Sequence, residues 1–519
     1  MSHRIKNFAR VYSGQPNITG GTIISVEVDI TNGLHSFSIV GLPNKAVEEA
    51  RDRVGSAIKN SGLPSPKQEN KKIVVSLAPA ELKKEGAYYD CAIAVGYLLA
   101  SHKITCDPTH TLFIGELSLD GSIQPVQEIL SIISAAHSQG ITECFIPADN
   151  APLASLINGI TIYPITHLRE IVVHFAVHPE ERAALPPFAR HNEPAIRAAQ
   201  PGSMFNSIIG QASAKRALQI AAAGGHNLLM IGAPGTGKTL LAKSLIELLP
   251  ELSHEASLSV TTLHSSVARA PITELITTPP LRIPHHTSSA ASIIGGAHGK
   301  PGELSLAHHG VLFLDELPEF DRRVIEALRQ PLEEQSITIA RSKGTITLPA
   351  QTILVAAMNP CPCGYFGSTH TICTCNPTSI ERYRKKVSGP IMDRLDLWVP
   401  VESISAQELH QNPKVSKSSA NISAFSVIIE SIQHARDIQS KRIGNNGRQN
   451  AHRTSEETQE LVLSDMAQTL IIQAGEHYHL SPRSQHRIIK VARTIADLEQ
   501  KEVIEKEHLL EALQYRNLN

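Results

Sequence analysis

The sequence lacks a long hydrophobic run. No stretch of its 519 residues holds the roughly 18 uninterrupted apolar positions that a membrane-spanning helix needs. Its first ten residues also lack the apolar centre of a signal peptide. The seven cysteines are not spread as in a disulfide framework, since four of them lie between Cys361 and Cys375. These absences predict a cytoplasmic protein with no membrane partner.

An excess of either charge is also missing, because 48 Lys and Arg face 49 Asp and Glu. The chain as a whole therefore has no basic field of the kind that attracts nucleic acid. Any such binding must come from local loops. A composition of 41% apolar and 19% charged residues is that of an ordinary folded protein, and the length predicts about two to four domains.

A phosphate-binding loop is the clearest motif. The apolar run at 228–231 predicts a buried strand, residues 240–249 have helical periodicity, and Gly232-Ala-Pro-Gly-Thr-Gly-Lys-Thr239 joins them. Backbone N–H groups of such a loop point at phosphate oxygens. Lys238 would reach the β- and γ-phosphates of ATP, and Thr239 would bind Mg²⁺. The predicted nucleotide-binding residues are Gly232, Ala233, Pro234, Gly235, Thr236, Gly237, Lys238, Thr239 and Leu240.

Two further strands end in polar residues that suit ATP hydrolysis. The run 311–314 precedes Asp315 and Glu316, and the run 352–357 precedes Asn359. Carboxyl ends of parallel strands share one edge of a sheet. We expect Asp315 to hold Mg²⁺, Glu316 to orient and deprotonate the attacking water, and Asn359 to help position that water. An Asp-Glu pair often merely ends a strand, but it gains weight when it follows a phosphate loop.

Three other segments offer candidate sites, each with an ordinary alternative. Alternation over 337–348 predicts a β-hairpin whose basic tip carries Arg341 and Lys343, although a solvated turn explains the pattern equally well. Arg394 is a candidate arginine finger for a neighbouring subunit's ATP, or a partner in a surface ion pair with Asp393 or Asp396. Arg483 opens the amphipathic helix 481–498, where it either reaches phosphate or lies on the surface.

Four cysteines form two Cys-x-Cys pairs. Cys361, Cys363, Cys373 and Cys375 place four thiolates within fifteen positions, which suits one structural, tetrahedral Zn²⁺. The usual zinc pairs are Cys-x-x-Cys, and His370 is a possible substitute ligand. The alternative is a set of free cytosolic thiols.

Composition and pattern predict the domain organisation. Mixed strands and helices over 1–175 indicate an α+β domain, and the segment rich in Pro, Ala and charge at 176–203 reads as a linker. An α/β nucleotide-binding core follows at 204–402, with the cysteine-rich insertion at 361–375. A loop at 403–420 then leads to a helical lid at 421–519.

The first domain resembles the proteolytic domain of Lon, which has a ribosomal S5 domain 2-like fold. The resemblance lies in Gly115-Glu-Leu-Ser-Leu-Asp-Gly-Ser-Ile-Gln-Pro-Val126, in 135–141 and in 145–147. Tyr88 stands where Lon has its nucleophilic Ser, and Leu130 stands where Lon has its catalytic Lys. Because acyl transfer needs an activated nucleophile, we expect a Lon-like fold without protease activity.

The whole chain resembles the magnesium-chelatase-like AAA+ ATPases of the YifB/ComM group. Beyond the ATPase motifs, the resemblance includes the motifs at 283–290, 301–308, 317–320 and 359–364. It implies a hexameric ring that hydrolyses ATP to translocate along single-stranded and branched DNA. The implied task is helicase activity or branch migration during recombination of incoming single-stranded DNA in natural transformation.

The same group is similar to MCM helicases. That similarity makes the predicted hairpin a DNA-contacting pore element, Arg394 the finger arginine and Arg483 the sensor-2 arginine. The alternative function is a motor that remodels a protein partner, as the ATPase subunit of magnesium chelatase does. A Lon-type protease is disfavoured by Tyr88 and Leu130.

Overall fold

The computed structural model describes residues 7–17, 20–189, 203–268, 272, 274–296, 300–341, 344–368, 371–403, 419–443 and 448–516. The chain divides into two compact units, one of residues 1–195 with 261–276 and one of residues 196–260 with 277–519. Within the described ranges, every helix is too short or too polar to cross a membrane.

The first unit is built on a mixed β-sheet. Its strands are β1 (Phe8–Asn17), β2 (Gly20–Asn32), β3 (Ser36–Val40), β4 (Lys71–Ala78), β5 (Thr111–Phe113), β8 (Glu143–Pro147) and β9 (Thr161–Ile165), with the small pair β6 (Glu116–Leu117) and β7 (Ile123–Gln124) beside it. The seven-stranded order is β3-β4-β2-β1-β5-β8-β9. β1, β2 and β4 run antiparallel, and Val11 pairs with Val26, which pairs with Leu77. All three side chains are buried, so alternate residues of these strands form the core.

Helices cover this sheet. They are α1 (Lys45–Asn60), α2 (Asp90–Ala100), α3 (Ile129–Ser138), α4 (Ala151–Ala154) and α5 (Leu168–His174), with 3₁₀ turns at Pro66–Gln68, Ala148–Asn150 and Pro179–Glu181. α2 is apolar on nearly every face, and all but one of its residues are buried, as expected for a central helix. Its first residue, Asp90, is buried and accepts two hydrogen bonds from Arg53, at 2.6 and 3.0 Å.

The second unit holds a parallel sheet. Its strands are β10 (Leu228–Gly232), β11 (Leu281–Arg282), β12 (Val311–Leu314), β15 (Ile353–Met358) and β16 (Leu397–Val401), and β13 (Ser336–Arg341) pairs with β14 (Gly344–Pro349) in a separate hairpin. The order is β11-β12-β15-β10-β16, and every pairing in it is parallel. Leu228 and Met230 face one core while Leu229 faces another. Burial on both faces explains why these strands are uninterrupted apolar runs.

Helices lie around this sheet and beyond it. Those up to β16 are α6 (Ser203–Ser207), α7 (Ala212–Gly224), α8 (Lys238–Leu248), α9 (His254–Ser265), α10 (Ala290–Ile294), α11 (Glu303–Leu306), α12 (Arg322–Ala327), α13 (Pro331–Glu334), α14 (Pro377–Arg384) and α15 (Gly389–Met392). The later ones are α16 (Ser419–Ile443), α17 (Ser455–Gln459), α18 (Asp465–His477), α19 (Pro482–Leu498) and α20 (Lys506–Gln514), with 3₁₀ turns at Leu317–Glu319 and Asn450–His452. Of the later helices, α16, α18, α19 and α20 share one core with α7 and α8.

Buried ion pairs join the later helices to the sheet. Asp396, just before β16, accepts a hydrogen bond from Arg487 of α19 at 2.8 Å and one from the backbone N–H of Asn227 at 3.2 Å. Burial opposes ionisation of Asp396, but Arg487, together with His226 and Lys490, holds its pKa well below the usual value. The carboxylate thus links α19 to the start of β10.

The predicted elements are confirmed, with small differences at their ends. The strand predicted at 228–231 is β10, the helix predicted at 481–498 is α19, and the hairpin predicted within 337–348 is β13–β14. The predicted linker 176–203 begins on the first unit, since Phe188 N–H donates to Ile162 C=O at 2.7 Å. Its remainder at 190–202, and most of the loop predicted at 403–420, lie outside the described residues.

Candidate functional site: a phosphate loop with its catalytic edge

Glycines shape the loop between β10 and α8. Gly235 and Gly237 have φ of +79° and +90°, a region that side chains with a Cβ avoid. Gly232 has a different constraint, because a Cβ there would lie 2.3 Å from the carbonyl oxygen of Val401 on the neighbouring strand. α8 begins at Lys238, so the first-turn N–H groups of that helix, which lack helical acceptors, border the loop.

Lys238 is held among backbone and amide oxygens. Its Nζ donates to Gly232 C=O at 2.7 Å, to Ala233 C=O at 2.9 Å and to Asn359 Oδ1 at 3.3 Å. Burial lowers the pKa of Lys238, and the carboxylates of Asp315 and Glu316 oppose that shift. The predicted phosphate-binding lysine and the predicted water-positioning amide are therefore neighbours.

A hydroxyl and a carboxylate meet beside the loop. Thr239 Oγ1 donates to Asp315 Oδ2 at 2.9 Å, although the two residues lie on different elements. Both offer hard oxygen ligands of the type that Mg²⁺ prefers. Their pairing fits the predicted Mg²⁺ site, in which Thr239 and Asp315 would be the protein ligands.

Glu316 is presented at the edge of the sheet. Its φ of +53° is in the left-handed region, and its N–H donates to Asp315 Oδ1 at 3.0 Å. Its side chain is 55% exposed, and Oε2 lies 3.6 Å from His286 Nδ1. Strained backbone of this kind often accompanies function. The sequence pattern did not indicate His286 as a site residue, although His286 lies within the motif at 283–290.

The cysteines gather on one side of the loop. The four sulfur atoms of Cys361, Cys363, Cys373 and Cys375 lie within 4.8 Å of one another, and three Sγ–Sγ distances are 3.3, 3.7 and 3.6 Å. A tetrahedron with bonds of about 2.3 Å has edges of about 3.8 Å, so the cluster fits Zn²⁺. Backbone N–H groups, first that of Tyr365, lower the pKa of Cys363 to about 6, whereas burial and the neighbouring sulfur atoms raise the pKa of Cys373 and Cys375. His370 lies outside the described residues.

Arg394, the candidate finger arginine, and Arg483, the candidate sensor-2 arginine, meet on a carboxylate that the sequence did not indicate. Arg394 Nη2 lies 2.7 Å from Glu333 Oε2, and Arg483 contacts the other carboxylate oxygen. Asp393 and Asp396 pair with Arg516 and Arg487 instead. The ion pairs considered for Arg394 from its spacing are thus replaced by a contact with α13.

The hairpin has the predicted form, with Ile337 facing Leu348 across two antiparallel strands and Arg341 facing Gly344. Ile337 and Leu348 are buried at its base. Lys343 lies outside the described residues, as does the side chain of Arg341. DNA contact by these two cations stays a prediction.

The first unit offers no Ser–Lys dyad at the positions matched to Lon. Tyr88 is half-buried, and burial raises the pKa of its phenol to about 12. Leu130 is buried in α3. Neither side chain is an activated nucleophile or base at neutral pH.

Three family profiles match the chain in sequence. "Subunit ChlI of Mg-chelatase" matches residues 26–150, "Magnesium chelatase, subunit ChlI" matches 204–409, and "Magnesium chelatase, subunit ChlI C-terminal" matches 423–516. Together they cover both units, including the phosphate loop and the cysteine cluster.

Relatives extend this similarity over nearly the full length. The chain is 39% identical over 504 residues to the uncharacterized protein YifB of Escherichia coli (strain K12), covering 96% of this chain and 94% of YifB. It is 40% identical over 516 residues to competence protein ComM of Haemophilus influenzae, covering 98% and 97%. Partial matches, each 26% identical, cover 34% of the chain with Lon protease 2 of Bacillus subtilis and 38% with DNA replication licensing factor Mcm6 of Drosophila melanogaster.

Proposed function

The chain belongs to the YifB/ComM group of magnesium-chelatase-like AAA+ ATPases, and we propose that it is a ring-forming, ATP-driven DNA translocase. Its task would be branch migration or helicase activity during recombination of incoming single-stranded DNA. The family implies ATP hydrolysis, and the relative named as a competence protein supports the link to DNA uptake. The partial similarity to an MCM protein supports the proposal that the motor moves along DNA.

The contact between Lys238 and Asn359 carries the ATPase part of the proposal. It places the predicted phosphate ligand and the predicted water-positioning amide 3.3 Å apart, at the edge that also holds Asp315 and Glu316. The phosphate loop would bind the β- and γ-phosphates, and Glu316 would take the proton of the attacking water. Mg²⁺ held by Thr239 and Asp315 would neutralise charge that develops on the phosphates.

A neighbouring subunit would complete the site. Arg394 and Arg483 lie together on Glu333. We propose that Arg394 reaches the ATP of the next subunit in a hexamer, and that Arg483 serves the ATP of one or the other subunit. Such arginines stabilise charge on the transferred phosphoryl group. The first unit, which we propose is Lon-like and proteolytically inactive, would serve assembly or DNA engagement.

ATP turnover with and without DNA tests the proposal. We expect single-stranded and branched DNA to raise the turnover of the wild-type protein, and labelled strands to be displaced in the presence of ATP. Lys238→Ala should abolish both. The alternative is a motor that remodels a protein partner. The near-neutral net charge and the matches to the chelatase profiles are compatible with that alternative. ATP turnover that is indifferent to every DNA substrate would replace our proposal with that alternative.

A further inference from the structure

Glu333 is the meeting point of two arginines from distant parts of the chain. Arg394 comes from the turn before β16 and Arg483 from the first turn of α19, and each contacts one carboxylate oxygen of Glu333 in α13. The side chain of Arg394 is 6% exposed, whereas those of Glu333 and Arg483 are 40% and 51% exposed. The three groups therefore form a cluster in which Arg394 is buried, while Glu333 and Arg483 are exposed to solvent.

Positive charge exceeds what Glu333 can balance. Burial first, and then the charges of Arg329 and Arg487, lowers the pKa of both Arg394 and Arg483. Nε of Arg394 is buried without a hydrogen-bond partner among the described residues. The cluster thus has an electrostatic deficit of negative charge and at least one unused N–H donor.

The neighbouring carboxylates are already committed to other cations. Asp396 lies 2.8 Å from Arg487, Glu326 lies 3.3 Å from Arg329, and Asp393 lies 3.7 Å from Arg516. Glu333 is therefore the carboxylate that compensates the candidate finger and sensor-2 arginines in the described part of the chain.

Two guanidinium groups around one small anion form a phosphate-type site. A guanidinium donates in a planar fork that matches carboxylate and phosphate oxygens alike. A carboxylate has two oxygens, whereas a terminal phosphate has three and carries more charge. A phosphate group in the place of the Glu333 carboxylate would therefore offer both guanidiniums one more oxygen and more negative charge.

We propose that Glu333 is an internal substitute for phosphate, which occupies Arg394 and Arg483 in the separate subunit and gives way to the polyphosphate of ATP on the adjoining subunit. This rests on the proposed function for the identity of that phosphate. Glu333 is a positioning residue, since it acts through the arginines. It holds the two guanidinium groups next to each other. It also makes subunit assembly depend on ATP, because only a neighbour that carries ATP can displace the carboxylate from the arginines.

Replacing Glu333 by Gln tests the exchange in the full-length protein. Removing the charge should lower the subunit concentration at which ATP drives assembly, measured by sedimentation velocity. We expect a shift of up to about fivefold, the upper end of the range for exposed ion pairs. ATP turnover at low subunit concentration should rise by the same factor.

Glu334→Gln is the matched control. Glu334 lies on the same helix but pairs with Gln330 at 2.9 Å, so this variant removes an equal charge without touching the arginines. It should assemble and hydrolyse ATP as wild type does. Arg394→Ala should lower turnover at every subunit concentration, and thermal unfolding of each variant establishes that it is folded.

A second measurement needs no ATP hydrolysis. In a Lys238→Ala background, which removes the chain's own phosphate ligand, inorganic pyrophosphate should raise the unfolding temperature of the Glu333→Gln variant more than that of the Glu334→Gln variant. Equal stabilisation of the two would overturn the exchange. So would a Glu333→Gln protein with unchanged assembly, or with the turnover loss of Arg394→Ala. Absence of ATP turnover by wild type would refute the proposed function. The pyrophosphate titration would still test whether phosphate displaces Glu333 from the two arginines.

Discussion

Gly364 lies directly over Pro234, so that a Cβ on Gly364 would come 2.6 Å from Pro234 Cδ. Gly364 has φ of +88° and follows the first cysteine pair, Cys361 and Cys363. Pro234 belongs to the phosphate loop. The cysteine cluster and the nucleotide site therefore share a packed contact, and a change in one should reach the other.

Removing half of the cysteine cluster should release its metal and weaken ATP binding. We expect about one equivalent of zinc per chain in wild type and little in Cys373→Ser/Cys375→Ser. The ATP affinity of this variant should also fall, because Gly364 would no longer be held against Pro234 of the phosphate loop. Elemental analysis and nucleotide titration measure both effects. Cys106→Ser, which changes a thiol outside the cluster, should keep its metal. Metal-free wild-type protein prepared without chelator would disprove the site.

Glu316→Gln should retain ATP and lose turnover. The amide cannot accept the proton of the attacking water, whereas Lys238 and the phosphate loop remain intact. Loss of one general base typically lowers the rate about 10²–10⁴-fold. Steady-state turnover and equilibrium ATP binding distinguish this variant from Lys238→Ala, which should lose affinity. Near-normal hydrolysis by Glu316→Gln would assign the base elsewhere.

His286→Ala should slow hydrolysis while leaving ATP affinity nearly unchanged. His286 Nδ1 lies 3.6 Å from the Glu316 carboxylate, and losing a partly exposed contact of this kind costs roughly tenfold or less. His110→Ala is the control, because His110 contacts Gly140 C=O in the first unit rather than Glu316. Separate kcat and KM measurements are needed. Equal effects of the two variants would show that His286 has no particular role at Glu316.

Arg341→Ala/Lys343→Ala should weaken DNA binding and flatten its salt dependence. Two cations per subunit on a hairpin tip would release counterions from the bound DNA strand. Neither residue belongs to the phosphate site. Basal ATP turnover should persist and strand displacement should be lost. Binding titrations at two salt concentrations measure this, with Arg51→Ala/Lys67→Ala removing the same charge from exposed sites on the first unit. Indistinguishable binding by the hairpin variant and wild type would exclude the hairpin from DNA contact.

The first unit should not cleave proteins. Casein is expected to survive prolonged incubation with the full-length protein and ATP, because Tyr88 and Leu130 supply neither a nucleophile nor a base. Gel electrophoresis over time measures this. Degradation that disappears when residues 1–175 are deleted would reveal a different catalytic group in that unit.

Much of the second unit was predictable because its strands are buried on both faces. Apolar runs such as Val311–Leu314 can form few other structures, and the glycines of the phosphate loop are required by its backbone. The antiparallel hairpin was also predictable from the sequence, since Ile337 and Leu348 alternate with polar neighbours and pair across it.

Contacts between distant side chains that belong to no recognised motif pair were not predictable. Arg394 has acidic neighbours at positions 393 and 396, yet Asp396 is taken by Arg487 and by Asn227 N–H. That leaves Arg394 to Glu333 in α13. The partner of an arginine depends on how helices are packed, which no local spacing records. The same holds for His286, whose motif was visible while its approach to Glu316 was not.

The strand order of the parallel sheet has a consequence for synthesis of the chain. β10 is made first, but it lies between β15 and β16, so both of its edges wait for strands that leave the ribosome much later. Such long-range pairing is slow and exposes unpaired backbone meanwhile. The single tryptophan, Trp398, lies on β16 beside Leu229 of β10. Its fluorescence therefore reports the last closure of the sheet, and a nascent chain that ends before β16 should depend on chaperones to avoid aggregation.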